Sequence, residues 1–444
     1  MNALYSVAEI RAIEQAAAAA LPAGTLMRRA GLAAGNAALE LLAGHIDPRA
    51  LVLAGPGNNG GDALEVAANL AQAGIEVTVL HLGGGGAPSG EAAHALARAR
   101  NSTAQFVDVL PAHQDWSLVV DGLFGIGLAR PLAGRARALA EATRAAGCAV
   151  LALDVPSGLD ADTGAVVGPD GVAVRATHTI TFIGDKPGLH TGAGRDHAGM
   201  VLVAPLDIVH ATPPRAQLNR PESFARWLAP RAHSSHKGSY GDLAVMGGAH
   251  GMAGAPVLAA RGALYCGAGR VYLAAVDPGP AFDSVQPEIM FRAAADFEFA
   301  DSTLVVGPGM GQAPHAAALL ARAQASACPL VLDADALNLL AASPVLQAGL
   351  ARRSAPTVLT PHPLEAARLL GMTSAAVQAD RLAAARALAA RFNAVVVLKG
   401  SGTVIAQADG TLAVNPTGNP GLASAGTGDV LAGICGALLA QGWP

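Results

Sequence analysis

The chain has 444 residues, 52% hydrophobic, 14% charged and 4% aromatic; this predicts two or three globular domains and excludes disorder as its main state. Its formal charge of −4 separates 33 acidic from 29 basic side chains, with no basic block to follow a phosphate backbone, so no nucleic-acid partner is expected. The most apolar stretches are broken by Arg, Gly or Pro before the roughly 18–20 residues a membrane span needs, so no membrane partner is expected either.

Glu9, Arg11 and Glu14 interrupt the place where a signal peptide carries its apolar run, and Ser6 to Glu9 reads as a helix capping box, so a cytoplasmic location is expected. Cys148, Cys266, Cys328 and Cys435 stand singly and read as buried reduced thiols. Of the 29 basic residues only Lys186, Lys237 and Lys399 are lysine, each beside glycine. A compact ammonium is not interchangeable with guanidinium, which makes the three candidate functional cations.

In chain order, apolar runs at Leu51–Ala54, Val77–Leu80, Leu118–Asp121 and Val150–Asp154 alternate with Ala-rich helices at Gly60–Ala73, Ser89–Arg100 and Ala133–Ala146. Strands so uniformly apolar are covered on both faces, as in a parallel sheet. The run Gly83 to Gly86 reads as a flexible loop, and the Pro-punctuated stretch 205–225 as a linker. A second series follows, with strands at Leu243–Met246, Val271–Ala274, Thr303–Val306, Leu330–Asp333, Val358–Thr360 and Val395–Leu398. The fold class is α/β, two doubly wound three-layer αβα domains, with chemistry at the carboxyl ends of the strands.

After the first strand comes Gly55-Pro-Gly-Asn-Asn-Gly-Gly-Asp62, which formally contains G-x-G-x-x-G. The dinucleotide reading fails, because the next strand runs into His81-Leu-Gly-Gly where an acidic ribose ligand is required. Two Asn and an Asp suit a monovalent cation beside a polar ligand better than bare pyrophosphate. Asp121-Gly-Leu-Phe-Gly and Asp154-Val-Pro-Ser157-Gly supply compatible oxygens after later strands.

Together with Asp185-Lys186-Pro187-Gly188, these loops resemble the NAD(P)HX epimerase family, whose pattern runs GxGNNGGDG, VVDALFGTG, DVPSG and KPG, over about residues 4–210. The resemblance implies a Rossmann-like domain over 1–215, with potassium at Asn59, Asp121 and Ser157. It implies the hydrated nucleotide at Asn58, Asn59, Gly60, Gly61 and Asp62, at Gly125, Ile126, Gly127, Leu128, Ala129, Arg130 and Pro131, and at Asp154. Epimerising a C6 hydroxyl needs ring opening and reclosure, so Asp154 is the acid/base candidate, with Lys186 as supporting charge. By itself Asp154 reads equally as a cap after a strand. Ala63 stands where the family has Gly, a methyl expected to crowd the ligand.

Near the C-terminus a glycine run through Gly426-Thr-Gly-Asp429 opens the apolar helix Val430–Ala440. Backbone N–H groups there suit a phosphate, and Asp429 suits deprotonation of a hydroxyl aimed at it. With His236-Lys237-Gly-Ser, Gly254-Ala-Pro, Gly307-Pro-Gly-Met-Gly311, Asp333-Ala-Asp-Ala-Leu-Asn338, Thr360-Pro-His362-Pro-Leu-Glu365 and Lys399-Gly-Ser-Gly-Thr403, this end resembles the ribokinase-like superfamily and, within it, the ADP/ATP-dependent NAD(P)HX dehydratases. The resemblance covers 222–444. It implies adenine nucleotide at Lys399, Gly400, Ser401, Gly402, Thr403 and Gly428, and hydrated nicotinamide at Ala255, Gly311, His362 and Asp429, with ADP and Mg2+ as cofactors. His362 reads also as a satisfied loop histidine, and Asp333 and Asp335 as helix caps. His233 and His236 lack the further ligands a zinc site needs.

Phosphorylating the C6 hydroxyl makes it a good leaving group, so NAD(P)HX and ADP are the expected small-molecule partners and both epimers the expected targets. Family members continue past the Gly-Thr-Gly-Asp helix, whereas this sequence stops at Gln441-Gly-Trp-Pro444; uncovered apolar surface then predicts lower stability or a homo-oligomer. The alternatives are a ribokinase-like kinase for a vitamin precursor fused to a nucleotide-binding domain, and a first domain that binds without turnover.

Overall fold

The computed structural model describes residues 3–83, 90–111 and 115–444; of the glycine run at 83–86, positions 84–86 lie outside the described residues. The chain divides into two compact units, Asn2–Leu218 and Asn219–Pro444.

In the first unit Ser6 caps the helix Val7–Ala20: its side chain accepts from the Glu9 N–H, and the Ser6 N–H donates to Glu9 Oε2 at 2.8 Å. Seven strands form one parallel sheet in the spatial order Gln105–Val107, Glu76–His81, Arg49–Ala54, Leu118–Gly122, Ala149–Leu153, His178–Phe182, Met200–Ala204. Leu51 and Leu53 pack with Leu139 and Ala140 on one face, while Val52 and Ala54 pack with Ala34, Val66 and Leu70 on the other. This alternation along an all-apolar strand is what a sheet covered by helices on both sides requires. Chain order reverses at Arg49–Ala54, which pairs with both Glu76–His81 and Leu118–Gly122. Ligands of open α/β sheets bind in the crevice that such a reversal opens. Ala216–Leu218, inside the stretch read as linker, is a strand paired antiparallel with Ala3–Leu4.

In the second unit Asp242–Gly247 pairs in parallel with Arg270–Ala275 on one side and Thr303–Val306 on the other. The sheet runs on in parallel through Leu330–Leu332, Thr357–Leu359 and Val395–Leu398. Two short antiparallel strands, Val404–Ala406 and Leu412–Val414, then extend it; at three residues each they were too short to announce themselves by periodicity. Helix Thr427–Ala440 lies close against Gly254–Tyr265, because a Cβ on Gly433 would fall 1.9 Å from the Ala259 carbonyl oxygen. That close approach fixes the helix whose first turn carries Asp429. All four cysteines are unpaired. Among the described residues no helix is long and apolar enough to cross a membrane.

Candidate functional site

At the carboxyl ends of the first sheet lies a cavity of about 750 Å³ lined by Asn58, Asn59, Asp62, Gly125, Ile126, Gly127, Leu128 and Asp154. Asp154 follows the strand Ala149–Leu153 with φ 65°, a left-handed conformation uncommon for a non-glycine residue, though aspartate tolerates it better than most. Its Oδ2 accepts from the Ile126 N–H at 3.1 Å. Its Oδ1 pairs with Lys186 Nζ at 2.8 Å. Lys186 is wholly buried and also donates to Thr181 Oγ1 and the Phe182 and Gly184 carbonyls. The ammonium thus sits behind Asp154, holding the carboxylate toward the cavity. A Cβ on Gly125 would come within 2.9 Å of Asp154 Oδ2, so glycine is required for the loop to close over the acid.

Asp62 is held well above the usual carboxylate range, first by burial and then by Asp154 and Glu14. It therefore holds its proton more tightly than a free aspartate does, in a cavity that it shares with Asp154. Gly60 and Gly61 do not line the cavity: their Cβ positions meet the Gly55 carbonyl and Met27. Ala129, Arg130 and Pro131 are exposed outside it. The methyl of Ala63 points into the core and not toward the ligand side.

Beneath the floor, the Ser157 N–H and Oγ donate to Asp121 Oδ2 and Oδ1 at 2.8 and 2.7 Å. Burial pushes the Asp121 carboxyl up to about 6. Asn59, 8% exposed, has both amide atoms buried without a hydrogen-bond partner. An unpaired buried amide is costly, and an oxygen-rich setting of Asn, Ser and Asp fits a monovalent cation. The residues present therefore suit potassium. Among the described residues no group of three His, Cys, Asp or Glu side chains is placed to hold a metal.

In the second unit Asp333, at the end of Leu330–Leu332, accepts at Oδ1 from Lys399 Nζ at 2.7 Å and Thr360 Oγ1 at 2.8 Å. Gly428, in the first turn of Thr427–Ala440, lies over this pair: its Cβ position is 3.4 Å from Lys399 Nζ and 3.9 Å from Asp333 Oδ2. Burial, then the Asp333 charge, raises Asp429 to about 6. Such a carboxyl is a competent base at neutral pH. A carboxylate oxygen beside a glycine-opened helix start suits Mg2+ arriving with a nucleotide, since Mg2+ keeps phosphate and water ligands.

His362 caps helix Pro363–Leu370: its Nδ1 accepts from the Leu364 and Glu365 N–H groups, so the ring proton sits on Nε2. Burial raises Glu365 to about 7. Gly311, at φ 70°, donates its N–H to Asp335 Oδ2 at 2.9 Å, and Ala255 lies against Gly309. Ser401, Gly402 and Thr403 form the connection between Val395–Leu398 and Val404–Ala406, and Lys237 is exposed. A Cβ on Gly400 would meet the guanidinium of Arg381 at 2.8 Å; that buried arginine donates to the Leu398 and Lys399 carbonyls. Arg11, Glu14 and Glu91 around the first cavity, and Thr360 and Arg381 in the second unit, were not singled out as site residues from sequence. Only Thr360 carried a signal, its place in a strand-end motif.

Two doubly wound units, each with a strand-end aspartate paired to a lysine below a glycine-rich loop, define a two-site nucleotide-handling α/β enzyme. Residues 23–188 match the family model of the YjeF-related protein N-terminus, and 243–443 that of NAD(P)H-hydrate dehydratase. The bifunctional NAD(P)H-hydrate repair enzyme of Escherichia coli (strain K12) is 38% identical over 98% of this chain and 84% of its own length. That of Coxiella burnetii (strain RSA 493 / Nine Mile phase I) is 38% identical over 99% and 91%. Among solved structures, the ADP/ATP-dependent NAD(P)H-hydrate dehydratase from Bacillus subtilis co-crystallized with ATP/Mg2+ is 32% identical over 48% of this chain and 81% of its own, with a TM-score of 0.41. The chain belongs to the bifunctional NAD(P)H-hydrate repair enzyme family.

Proposed function

We propose that residues 1–215 epimerise R- and S-NAD(P)HX and that residues 222–444 dehydrate the S epimer to NAD(P)H with ADP and Mg2+. The observation that carries the reading is the Asp154–Lys186 pair opening on a cavity that Asp62, its carboxyl raised well above the usual range by burial, also lines. Asp154 takes the C6 hydroxyl proton as the C6–N1 bond opens to the aldehyde, and Asp62 protonates N1. Rotation and reclosure on the other face return both protons. Asn59, Asp121 and Ser157 would hold K+, whose positive charge would favour a polar ligand. In the second unit Asp429 deprotonates the hydroxyl, which takes the terminal phosphoryl of ADP. Phosphate then leaves C6, and loss of a C5 proton forms the C5–C6 double bond. Lys399 through Thr403 and Gly428 hold the adenine nucleotide, and Ala255, Gly311 and His362 the nicotinamide.

We place the protein in the cytoplasm. We also propose a homo-oligomer, supported by exposed Met200, Leu202 and Val203 on an edge strand; sedimentation of the full chain tests it. The functional test is a mixture of both hydrated NADH epimers with ADP, Mg2+ and K+, followed by NADH absorbance. Recovery of both epimers is the expected result. Recovery of S alone removes the epimerase, and no recovery with ADP bound favours a small-molecule hydroxyl kinase.

A further inference from the structure

We propose that Arg11 is the phosphate-binding side chain of the first unit's cavity, meeting the pyrophosphate of the hydrated dinucleotide. The inference rests on the epimerase reading and adds a residue to it. Among the described residues the charged side chains lining the cavity are Glu14, Asp62, Glu91, Asp154 and Arg11, so one cation stands there with four acids. A dinucleotide brings two negative charges into that setting and needs a positive partner.

Arg11 is placed to be that partner. Helix Val7–Ala20 turns one face, through Ile10, Glu14 and Ala18, onto the cavity, and Arg11 shares it. Its Nη2 reaches to 4.0 Å from the Cβ position of Gly127, in the loop of Gly125 to Leu128. Among the described residues no hydrogen bond or ion pair engages its guanidinium, whereas Asp154 is paired with Lys186 and Glu91 accepts from the Gly24 N–H. Gly57, Asn58 and Asn59 line the same cavity and open the helix Asn58–Gln72, whose first N–H groups also favour anions. The two features together frame a pyrophosphate, leaving the ring end of the substrate for the acids. The helix precedes residues 23–188, the span matched by the family model.

The test uses the full chain and its Arg11→Ala and Arg11→Lys variants. For hydrated NADH, R11A is expected to raise the epimerisation KM roughly ten-fold with kcat little changed, the size of a lost charge-assisted contact, and R11K to recover part. For the hydrated reduced nicotinamide riboside, which has no phosphate, KM is expected to be the same in all three proteins. Dehydration of the S epimer, measured in the same samples, reports that the chain is folded. An unchanged KM for hydrated NADH, an equal effect on the riboside, or a loss in kcat alone overturns the proposal. Absence of epimerisation in the parent chain counts against the epimerase reading. Equilibrium titration with NADPH then decides on Arg11: weaker binding in R11A supports it and identical isotherms overturn it.

Discussion

The methyl group of Ala63 fills the space that a side chain on Gly122 would need: a Cβ built on Gly122 would lie 2.4 Å from the Ala63 Cβ. The family pattern GxGNNGGDG with VVDALFGTG places Gly and Ala at these two positions, and here they are exchanged. The departure at Ala63 is thus one half of a compensated pair, with its methyl in the core.

Gly122→Ala alone is expected to destabilise the first unit by about 1–3 kcal/mol through overpacking. Ala63→Gly alone costs about 1 kcal/mol, from a weakened helix. The double exchange should restore most of the loss, a coupling that a thermal-denaturation cycle of the four proteins measures.

Asp154→Asn is expected to slow epimerisation by about 10²–10⁴-fold while S-epimer dehydration is unchanged. Lys186→Met leaves the Asp154 carboxylate without its 2.8 Å partner, and breaking a buried pair costs about 3–5 kcal/mol. Its effect should appear in the unfolding midpoint as well as in turnover. Absorbance recovery from the separate epimers, with denaturation curves alongside, checks both.

Both side-chain amide atoms of Asn59 are buried without a hydrogen-bond partner. Epimerisation should therefore rise saturably with KCl at constant ionic strength, and choline should not substitute. Asn59→Leu should flatten that dependence. Initial rates over a KCl series in parent and variant measure it.

Asp429, raised to about 6, must be ionised to act as a base. Dehydration under saturating ADP should consequently climb with pH through about 6 as one proton is lost, then level off. Asp333 raises this carboxyl and Lys399 lowers it, so Asp333→Asn should move the limb to lower pH and Lys399→Met to higher pH. Asp429→Asn should remove the activity. A pH–rate profile of each protein reads the shifts.

The loops bearing Asn58, Asp121, Asp154 and Asp429 were legible because uniformly apolar strands announce a parallel sheet, whose carboxyl ends gather the chemistry. Lys186 and Lys399 were legible through their scarcity. The direction of the Ala63 methyl was not, since it depends on which side of a helix meets a strand formed much later in the chain. Arg11 and Glu14 looked like ordinary polar positions on an amphipathic helix, and only the folded helix turns them to the cavity. Arg381 was hidden because a buried guanidinium is recognisable only by the carbonyls it reaches.

Two of the three lysines are held in ion pairs inside the sites, and the third, Lys237, is exposed. Acylating reagents therefore meet very few side-chain amines on the folded molecule. Lys237 offers a near-stoichiometric attachment point for a dye or a surface linkage. Modification of Lys399, by contrast, should be slowed by bound nucleotide, and that of Lys186 should await unfolding, so one labelling reaction grades the two units by how tightly each keeps its amine.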